Sequence, residues 1–253
     1  MLRRRFVWGF SGWGRLFRLW HLKFRVGRGI ISNEIFSFFG GSDLMSTYLF
    51  DFDGTLVDSM PTYGALMLRI LDENGIEYGD DLIKIITPLG FIDTAKYFIG
   101  MGLDMEQDEI VKLMKEYALD AYSNRIPAKE GVIETLRELK RRGHGLNVLT
   151  ASPHDTLDPC LKRLGIYDIF DHVWSCNDFG TNKSDPEIYR AAARLMGCEV
   201  GEVIFLDDNP GADRTAKAAG MQVIGVYDDT SAEYVEEMKS ICDGYVYKLG
   251  ELL

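Results

Sequence analysis

The sequence predicts an α/β fold, with a parallel sheet between two layers of helices and an all-helical insert after the first strand. In the second half of the chain, short apolar runs alternate with helical patterns of about 10–15 residues, which indicates βαβ units. The first apolar run, Thr47–Phe50, is followed instead by helical periodicity alone until about Arg125. With 253 residues, 46% of them hydrophobic, the chain can form one core domain and a smaller insert.

The hydrophobic pattern assigns the elements in order. In the insert it predicts helices over 62–74 and 106–122, and shorter helical pieces over 81–101 that Pro88 and Gly90 interrupt. The rest of the chain is predicted to form helix Val132–Arg142, strand Leu146–Leu149, helix His154–Leu164, strand His172–Ser175, helix Pro186–Met196, strand Val203–Leu206, helix Ala212–Ala219, strand Gln222–Val226, helix Ala232–Ser240 and strand Tyr245–Tyr247. Right-handed crossovers place the carboxyl ends of these strands at one edge of a Rossmann-like sheet, where ligands bind.

These elements define a core domain of residues 45–58 and 127–253, a helical cap domain of residues 59–126, and a basic extension of residues 1–44. The extension carries seven arginines and Lys23 against two acidic residues, so it has a charge of +6 in a chain of net charge −11. Residues 45–253 therefore carry a net charge of −17. This acidic balance argues against a general nucleic-acid binder, which presents positive faces to phosphate.

Three interpretations of residues 1–44 remain open: a basic, aromatic helix on a membrane surface, a serine-poor organelle transit peptide, or a segment outside the working protein. The third is favoured, because Met45 precedes a domain that needs nothing upstream. Gly40-Gly41-Ser42 is also compatible with a purine-rich coding stretch, such as a bacterial ribosome-binding site, that has been translated by mistake. No apolar run reaches the roughly 18–20 residues that span a bilayer, and arginines break up the runs that a secretory signal requires.

The cysteines indicate a reducing compartment. The four of them are far apart and form no C-x-x-C pair, which favours free thiols over a disulfide framework or a zinc site. We therefore expect a cytoplasmic protein. Its expected oligomeric state is a monomer or a homodimer. For residues 45–253 we expect neither a membrane nor a nucleic acid as partner.

Polar residues cluster where the predicted strands end. Three acidic or hydroxyl-bearing pairs follow the first, second and fourth strands, and one lysine lies in the loop after the third: Asp51 with Asp53, Thr150 with Ser152, Asp207 with Asp208, and Lys183. Carboxyl ends of neighbouring parallel strands lie about 5–10 Å apart, so these groups converge. Carboxylates crowded in this way repel one another and persist only where a cation offsets them.

The expected cation is Mg²⁺, which prefers hard oxygen ligands and is usually held by one or two carboxylates together with substrate phosphate. Asp51 and Asp208 are the predicted carboxylate ligands, with Asp207 as a further candidate. A carboxylate nucleophile beside a metal can form an aspartyl phosphate. Lys183 would neutralise charge on the transferring phosphoryl oxygens, and the Thr150 hydroxyl and nearby backbone N–H groups would hold them.

Four segments occur together in one order: D-F-D-G-T-L-V-D at 51–58, L-T-A-S at 149–152, K-S-D-P-E-I-Y at 183–189, and F-L-D-D-N at 205–209 followed by A-A-G at 218–220. They resemble the four motifs of haloacid dehalogenase (HAD)-type phosphatases, over roughly residues 47–250. The branch that the chain resembles contains phosphoglycolate phosphatases and β-phosphoglucomutases. These carry a helical cap directly after the first motif, where the predicted insert lies.

The resemblance implies a role for each matching residue. Asp51 is the nucleophile, and Asp53 is the general acid and base that protonates the leaving oxygen and later deprotonates water. Thr150, Ala151 and Lys183 bind the phosphate. The metal ligands implied are the Asp51 carboxylate, the Asp53 backbone carbonyl and Asp208, with Asp207 as a candidate. The implied substrate is a small phosphate monoester; phosphoglycolate, sugar phosphates and nucleoside monophosphates all remain open.

Some positions depart from the family pattern. Ser184 stands where the third motif usually has proline. Tyr63 and Gly64 occupy the place of the mutase histidine, no arginine occurs near 89–93, and Thr55 is a residue that mutases often lack. These last three departures favour hydrolysis over return of the phosphoryl group. The alternatives are a sugar phosphomutase, or a non-catalytic binding module on the same fold, since a fold alone does not prove activity.

Overall fold

The computed structural model describes residues 45–86 and 89–253. The predictions for the extension 1–44 and for the break at Pro88 lie outside the described residues. Within them, no helix is long and apolar enough to cross a bilayer.

A six-stranded sheet forms the centre of the protein, and its strands are all parallel. In chain order they are β1 (Thr47–Phe50), β2 (Gly145–Thr150), β3 (His172–Ser175), β4 (Val203–Asp207), β5 (Gln222–Val226) and β6 (Gly244–Val246). Their spatial order is β3-β2-β1-β4-β5-β6. This arrangement confirms the predicted Rossmann-like α/β fold, with β1 in the middle and the chain winding outward in both directions.

The α-helices of the described residues are α1 (Met60–Glu73), α2 (Leu82–Ile86), α3 (Gly90–Gly100), α4 (Gln107–Asn124), α5 (Val132–Arg141), α6 (His154–Arg163), α7 (Pro186–Met196), α8 (Pro210–Ala219) and α9 (Val235–Ile241). Short 3₁₀ turns lie at Tyr167–Ile169, Cys176–Phe179, Val200–Glu202, Asp229–Tyr234 and Leu249–Leu252. Between β1 and α5, the described residues form helices α1–α4 and no strand, as the sequence predicts for the insert.

The sheet is covered on both faces because successive residues of a strand point to opposite sides. Phe50 and Leu206 pack into one apolar cluster with α5, α6 and the inserted helices. Their neighbours Leu49 and Phe205 pack into a second cluster with Tyr189 of α7 and the small residues of α8. The result is the predicted three-layer arrangement, with a core on each side of the sheet.

Several predicted element ends differ from the structure by one or a few residues, and for two of them the structure shows the reason. Strand β4 runs through Asp207, one residue beyond the predicted end, because Asp207 still pairs with Gly225 of β5. The last predicted helix begins as the 3₁₀ turn Asp229–Tyr234. The Asp228 carboxylate accepts hydrogen bonds from the Thr230 backbone N–H at 2.9 Å and from its hydroxyl at 2.6 Å, which favours a tight turn there.

The chain leaves the core and re-enters it at adjacent positions. Val57 forms an antiparallel bridge with Ala128, and the Asp58 backbone N–H donates to the Pro127 carbonyl at 3.0 Å. Arg163, at the end of α6, donates from its guanidinium to the backbone carbonyls of Tyr122 and Ile126, where the inserted helices end. The insert is therefore held to the core at both of its crossings.

The buried side of α5 offers a test of the packing. Leu136 is completely buried in the first cluster. We expect Leu136→Ala to lower the free energy of unfolding by about 2–5 kcal/mol, because the lost side chain leaves a cavity. Urea unfolding followed by circular dichroism measures this. Leu195→Ala on α7, at a side chain that is 59% exposed, serves as the control and should cost less than about 0.5 kcal/mol.

Candidate active site

The register of the central strands brings the predicted site residues together. Phe50 of β1 lies beside Val148 of β2 and Leu206 of β4, so these three strands end within two residues of one another along the sheet. Asp51 continues β1, and its backbone N–H donates to the Leu206 carbonyl at 2.8 Å. Asp207 is consequently the neighbour of Asp51 across the sheet edge.

Asp51, Asp207 and Asp208 form a tight acidic cluster. Each offers one carboxylate oxygen, and these oxygens all lie within 4.8 Å of one another. Burial raises the pKa of Asp51 to about 7, and the charge of Asp207 adds to the rise while Lys183 opposes it. Burial and the charges of Asp207 and Asp51 raise the pKa of Asp208 well above its usual range. The folded protein therefore holds these negative charges together against a substantial electrostatic cost.

Lys183 offsets part of that charge. Its ammonium group donates to the Asp51 carboxylate and, at 2.8 Å, to the Asp207 carboxylate. Burial acts to lower the pKa of Lys183, but the two carboxylates outweigh it and raise the pKa above its ordinary value. The ammonium is thus charged at neutral pH. Its loop is fixed by the Tyr189 hydroxyl, which donates to the Lys183 carbonyl at 3.1 Å.

The donor set fits a magnesium ion. Three carboxylates against one ammonium leave an excess of negative charge on a cluster of hard oxygen atoms. Mg²⁺ prefers oxygen ligands of this kind, and a bound ion would offset the repulsion among the carboxylates that adds to the effect of burial on the pKa of Asp208.

The turn after Asp51 is shaped around Asp208. Gly54 has a left-handed backbone with φ +76°, and a Cβ at this position would lie 2.5 Å from an oxygen of Asp208. Both facts require glycine there. The buried Thr55 hydroxyl donates to the same carboxylate at 3.0 Å. The Gly-Thr pair of the first motif therefore orients a candidate metal ligand that lies more than 150 residues away along the chain.

Asp53 has different surroundings from the other three aspartates. One of its carboxylate oxygens accepts a hydrogen bond from the Tyr122 hydroxyl at 2.5 Å, and the other accepts one from the Ser152 hydroxyl at 2.5 Å. Tyr122 belongs to α4, in the insert, and Ser152 follows β2. Burial and the charge of Asp53 raise the pKa of Tyr122, so its phenol is a neutral donor. The structure thus places Asp53 where the insert meets the sheet edge.

Thr150 and Ala151 lie at the end of β2, as predicted. Thr150 is buried, and its hydroxyl oxygen accepts the Ser152 backbone N–H at 3.0 Å. Ala151 is exposed and begins the loop that carries Ser152. Their role as phosphate-binding residues stays a prediction.

Sequence reasoning missed Lys129, which precedes α5. Its ammonium group donates to the Gly54 carbonyl at 2.5 Å, the Tyr227 carbonyl at 2.6 Å and the Asp228 carboxylate at 3.0 Å. It therefore fastens the turn after Asp51 to the end of β5. No local signal could have found it, because each of its three partners is distant in sequence. Tyr122 was missed because its place on an amphipathic helix indicates packing.

Comparison with known proteins agrees with this geometry. A family model described as haloacid dehalogenase-like hydrolase matches residues 48–226. The chain belongs to this family. The pyrophosphatase PpaX of Bacillus velezensis is 33% identical to this HAD-family protein over 183 residues, which cover 72% of this chain and 83% of PpaX.

Two further proteins extend the comparison. Validoxylamine A 7'-phosphate phosphatase of Streptomyces hygroscopicus subsp. limoneus is 28% identical over 196 residues, covering 75% of this chain and 89% of that enzyme. The crystal structure of CbbY from Rhodobacter sphaeroides in complex with phosphate superposes with a TM-score of 0.69 at 20% identity, covering 83% of this chain and 96% of CbbY. The family and its phosphatases confirm the predicted enzyme class, a phosphoric monoester hydrolase.

Replacing Lys129 tests whether it holds the turn. Burial acts to raise the pKa of Asp228, but its hydrogen bonds with Thr230 and Lys129 outweigh this and lower it. We expect Lys129→Met to reduce the free energy of unfolding by about 2–4 kcal/mol at pH 7, because it leaves the buried Asp228 carboxylate without its positively charged partner. The loss should shrink as the pH falls below about 4, since the stabilisation from a lowered carboxyl pKa disappears on protonation.

Urea unfolding at several pH values measures this effect. Lys248→Met is the matched control, because Lys248 pairs with Glu130 at an exposed site and should contribute less than about 1 kcal/mol. An equal loss in both variants would contradict the assigned role of Lys129.

Metal binding to the acidic cluster can be measured without catalysis. We expect saturating MgCl₂ to raise the Tm of the full-length protein by about 3–8 °C, because an ion that binds only the folded state stabilises it. Asp208→Asn should abolish this rise and should increase the Tm in EDTA, since it removes one of the crowded charges. Asp120→Asn, on the exposed side of α4, should retain the wild-type rise. A rise that survives Asp208→Asn would place the ion elsewhere.

Proposed function

We propose that this protein is a magnesium-dependent phosphatase that hydrolyses a small phosphate monoester through a phosphorylated Asp51. The observation that carries the proposal is the contact of Asp51 with Lys183 inside a cluster of three carboxylates. A nucleophilic carboxylate needs a neighbouring positive charge to receive a phosphoryl dianion. The same cluster supplies the ligands for a metal ion.

In the first step, an oxygen of Asp51 attacks phosphorus and the bond from phosphorus to the leaving oxygen breaks. The protonated Asp53 carboxyl gives its proton to that leaving oxygen, so the alcohol departs neutral. In the second step, water attacks the phosphorus of the aspartyl phosphate, and the Asp53 carboxylate takes up the proton of that water. Phosphate leaves, and Asp51 and Asp53 return to their starting states.

The surrounding residues bind and neutralise the phosphoryl group. Lys183 places its ammonium beside the reacting oxygen of Asp51, and Thr150 and Ala151 offer the hydroxyl and the loop N–H groups at the end of β2. When bound, Mg²⁺ neutralises further charge on the phosphoryl oxygens. It would be held by Asp51, Asp208 and the Asp53 backbone carbonyl, with Asp207 as a further candidate ligand.

The inserted helices, residues 59–126, act in this proposal as a cap that excludes bulk water and large substrates. The relatives named above support a small phosphorylated substrate, since one is named for pyrophosphate and one for validoxylamine A 7'-phosphate. Tyr63, at the place of the mutase histidine, stacks on Phe91 with ring centroids 6.2 Å apart. Burial and the charge of Asp53 raise the pKa of Tyr63, so its phenol exchanges a proton near neutral pH less readily than a histidine would, which favours hydrolysis over a mutase. We propose that the enzyme acts on a cytoplasmic metabolite.

Phosphate release by the full-length protein tests the proposal. The substrates are an aryl phosphate, phosphoglycolate, sugar phosphates, nucleoside monophosphates and pyrophosphate. We expect turnover that requires Mg²⁺, stops in EDTA, and falls by at least about 10³-fold in Asp51→Asn, because the nucleophile is lost. Asp120→Asn should retain the wild-type rate.

The preferred substrate in the panel would identify the metabolite class. Folded protein that shows the Mg²⁺-dependent rise in Tm but releases no phosphate would contradict hydrolysis. That result would favour a sugar phosphomutase as the next hypothesis, and a non-catalytic binding module after it.

A further inference from the structure

The carboxylate of Asp53 is held by two hydroxyl groups from different parts of the protein. The Tyr122 hydroxyl reaches one oxygen from α4, in the insert, and the Ser152 hydroxyl reaches the other from the loop after β2. Both donor–acceptor distances are 2.5 Å. Short bonds to both oxygens fix the rotation of the carboxyl group about its side chain.

The two donors differ in their freedom to move. The Tyr122 side chain is 6% exposed, and its ring stacks on Phe52 with centroids 5.9 Å apart. Its backbone carbonyl accepts hydrogen bonds from the Arg163 guanidinium, at 3.3 and 3.2 Å. The Ser152 hydroxyl, by contrast, can change its direction by rotation about a single bond. Tyr122 is therefore the rigid partner of Asp53, and Ser152 is the adaptable one.

In the acid step of the proposed reaction, the two hydrogen bonds to Asp53 cannot both stay as they are. A protonated carboxyl has one O–H, which must face the leaving oxygen, and one carbonyl oxygen, which still accepts hydrogen bonds. One of the two present contacts must therefore be rearranged. The rigid phenol keeps its acceptor more readily than the Ser152 hydroxyl, which can turn away.

We propose that Tyr122 is a positioning residue for the general acid, so that the insert completes the acid site by orienting the carboxyl of Asp53. This inference rests on the proposed function. The phenol is carried by α4, and Arg163 of α6 holds the backbone of α4 against the core at Tyr122. The contact of the phenol with Asp53 therefore depends on the position of the inserted helices. Proton donation to the leaving group thus depends on the position of the insert, whereas attack by Asp51 depends on the sheet edge alone.

The test uses leaving groups that differ in their need for a proton. An activated nitrophenyl phosphate releases a stable anion, whereas an alkyl phosphate releases an oxygen that must be protonated as the bond breaks. In the full-length protein, we expect Tyr122→Phe to lower kcat/KM for the alkyl phosphate by about 10–100-fold. For the activated ester the loss should be less than about 3-fold, because the nucleophile and the metal site are untouched.

Matched variants separate positioning from a general effect on structure. Tyr122→Phe keeps the ring that stacks on Phe52, so the fold is retained. Tyr117→Phe, on the same helix, removes only a hydroxyl that bonds to the exposed Glu73, and both substrates should keep their wild-type rates. Arg163→Met is a second variant that loosens α4 without changing Asp53 or the phenol, and it should reproduce the selective loss.

A double-mutant cycle completes the test. In an Asp53→Asn background, adding Tyr122→Phe should cost no further activity toward the alkyl phosphate, because the two residues act as one unit. An equal loss for both leaving groups, or no loss for either, would overturn the positioning role and leave the phosphatase intact. If the wild type hydrolysed neither ester, the proposed function would fall, and this inference with it.

Discussion

Mutual repulsion among Asp51, Asp207 and Asp208 is the constraint that organises this protein. Their oxygens lie within 4.8 Å of one another at an edge where burial removes most of the screening by water. Lys183 offsets only part of that charge, and the parallel strands must supply the rigidity that keeps the carboxylates close. The paired strands β1 and β4, each packed on both faces, provide that rigidity. A cluster that is costly in the free protein can bind a cation and a phosphoryl group tightly.

The loops around the cluster can be understood as responses to the same constraint. Gly54 leaves room for Asp208, and the Thr55 hydroxyl donates a hydrogen bond to the Asp208 carboxylate. Lys129 donates a hydrogen bond to the Gly54 carbonyl. The acidic groups thus approach one another while the backbone that carries them stays fixed. Such preorganisation matters because a catalytic group displaced by about 1 Å can lose a hundredfold in rate.

Most of the fold and the acidic cluster could be predicted from the sequence, because strand ends carry local signals. Asp51 and Asp208 each follow a short apolar run, and parallel topology alone brings such positions together. Tyr122 and Lys129 gave no such signal. Tyr122 lies 69 residues from Asp53, and Lys129 lies 75 residues from Gly54, so only the folded chain defines their roles. The end of β4 was misplaced because an acidic residue looks like a loop residue until its pairing across the sheet is known.

The neighbouring exit and entry points of the insert have a consequence for how such an enzyme can evolve. Val57 bridges Ala128, so the core closes on itself whatever lies between these residues. The entropy of closing a loop grows only slowly with its length, and a segment whose ends already touch can lengthen, shorten or be exchanged while β1 and α5 stay in place. The recognition of new metabolites can thus be acquired by replacing one contiguous module. The acidic groups at the sheet edge keep their places in such an exchange, but a new segment must again supply a hydrogen-bond donor to Asp53.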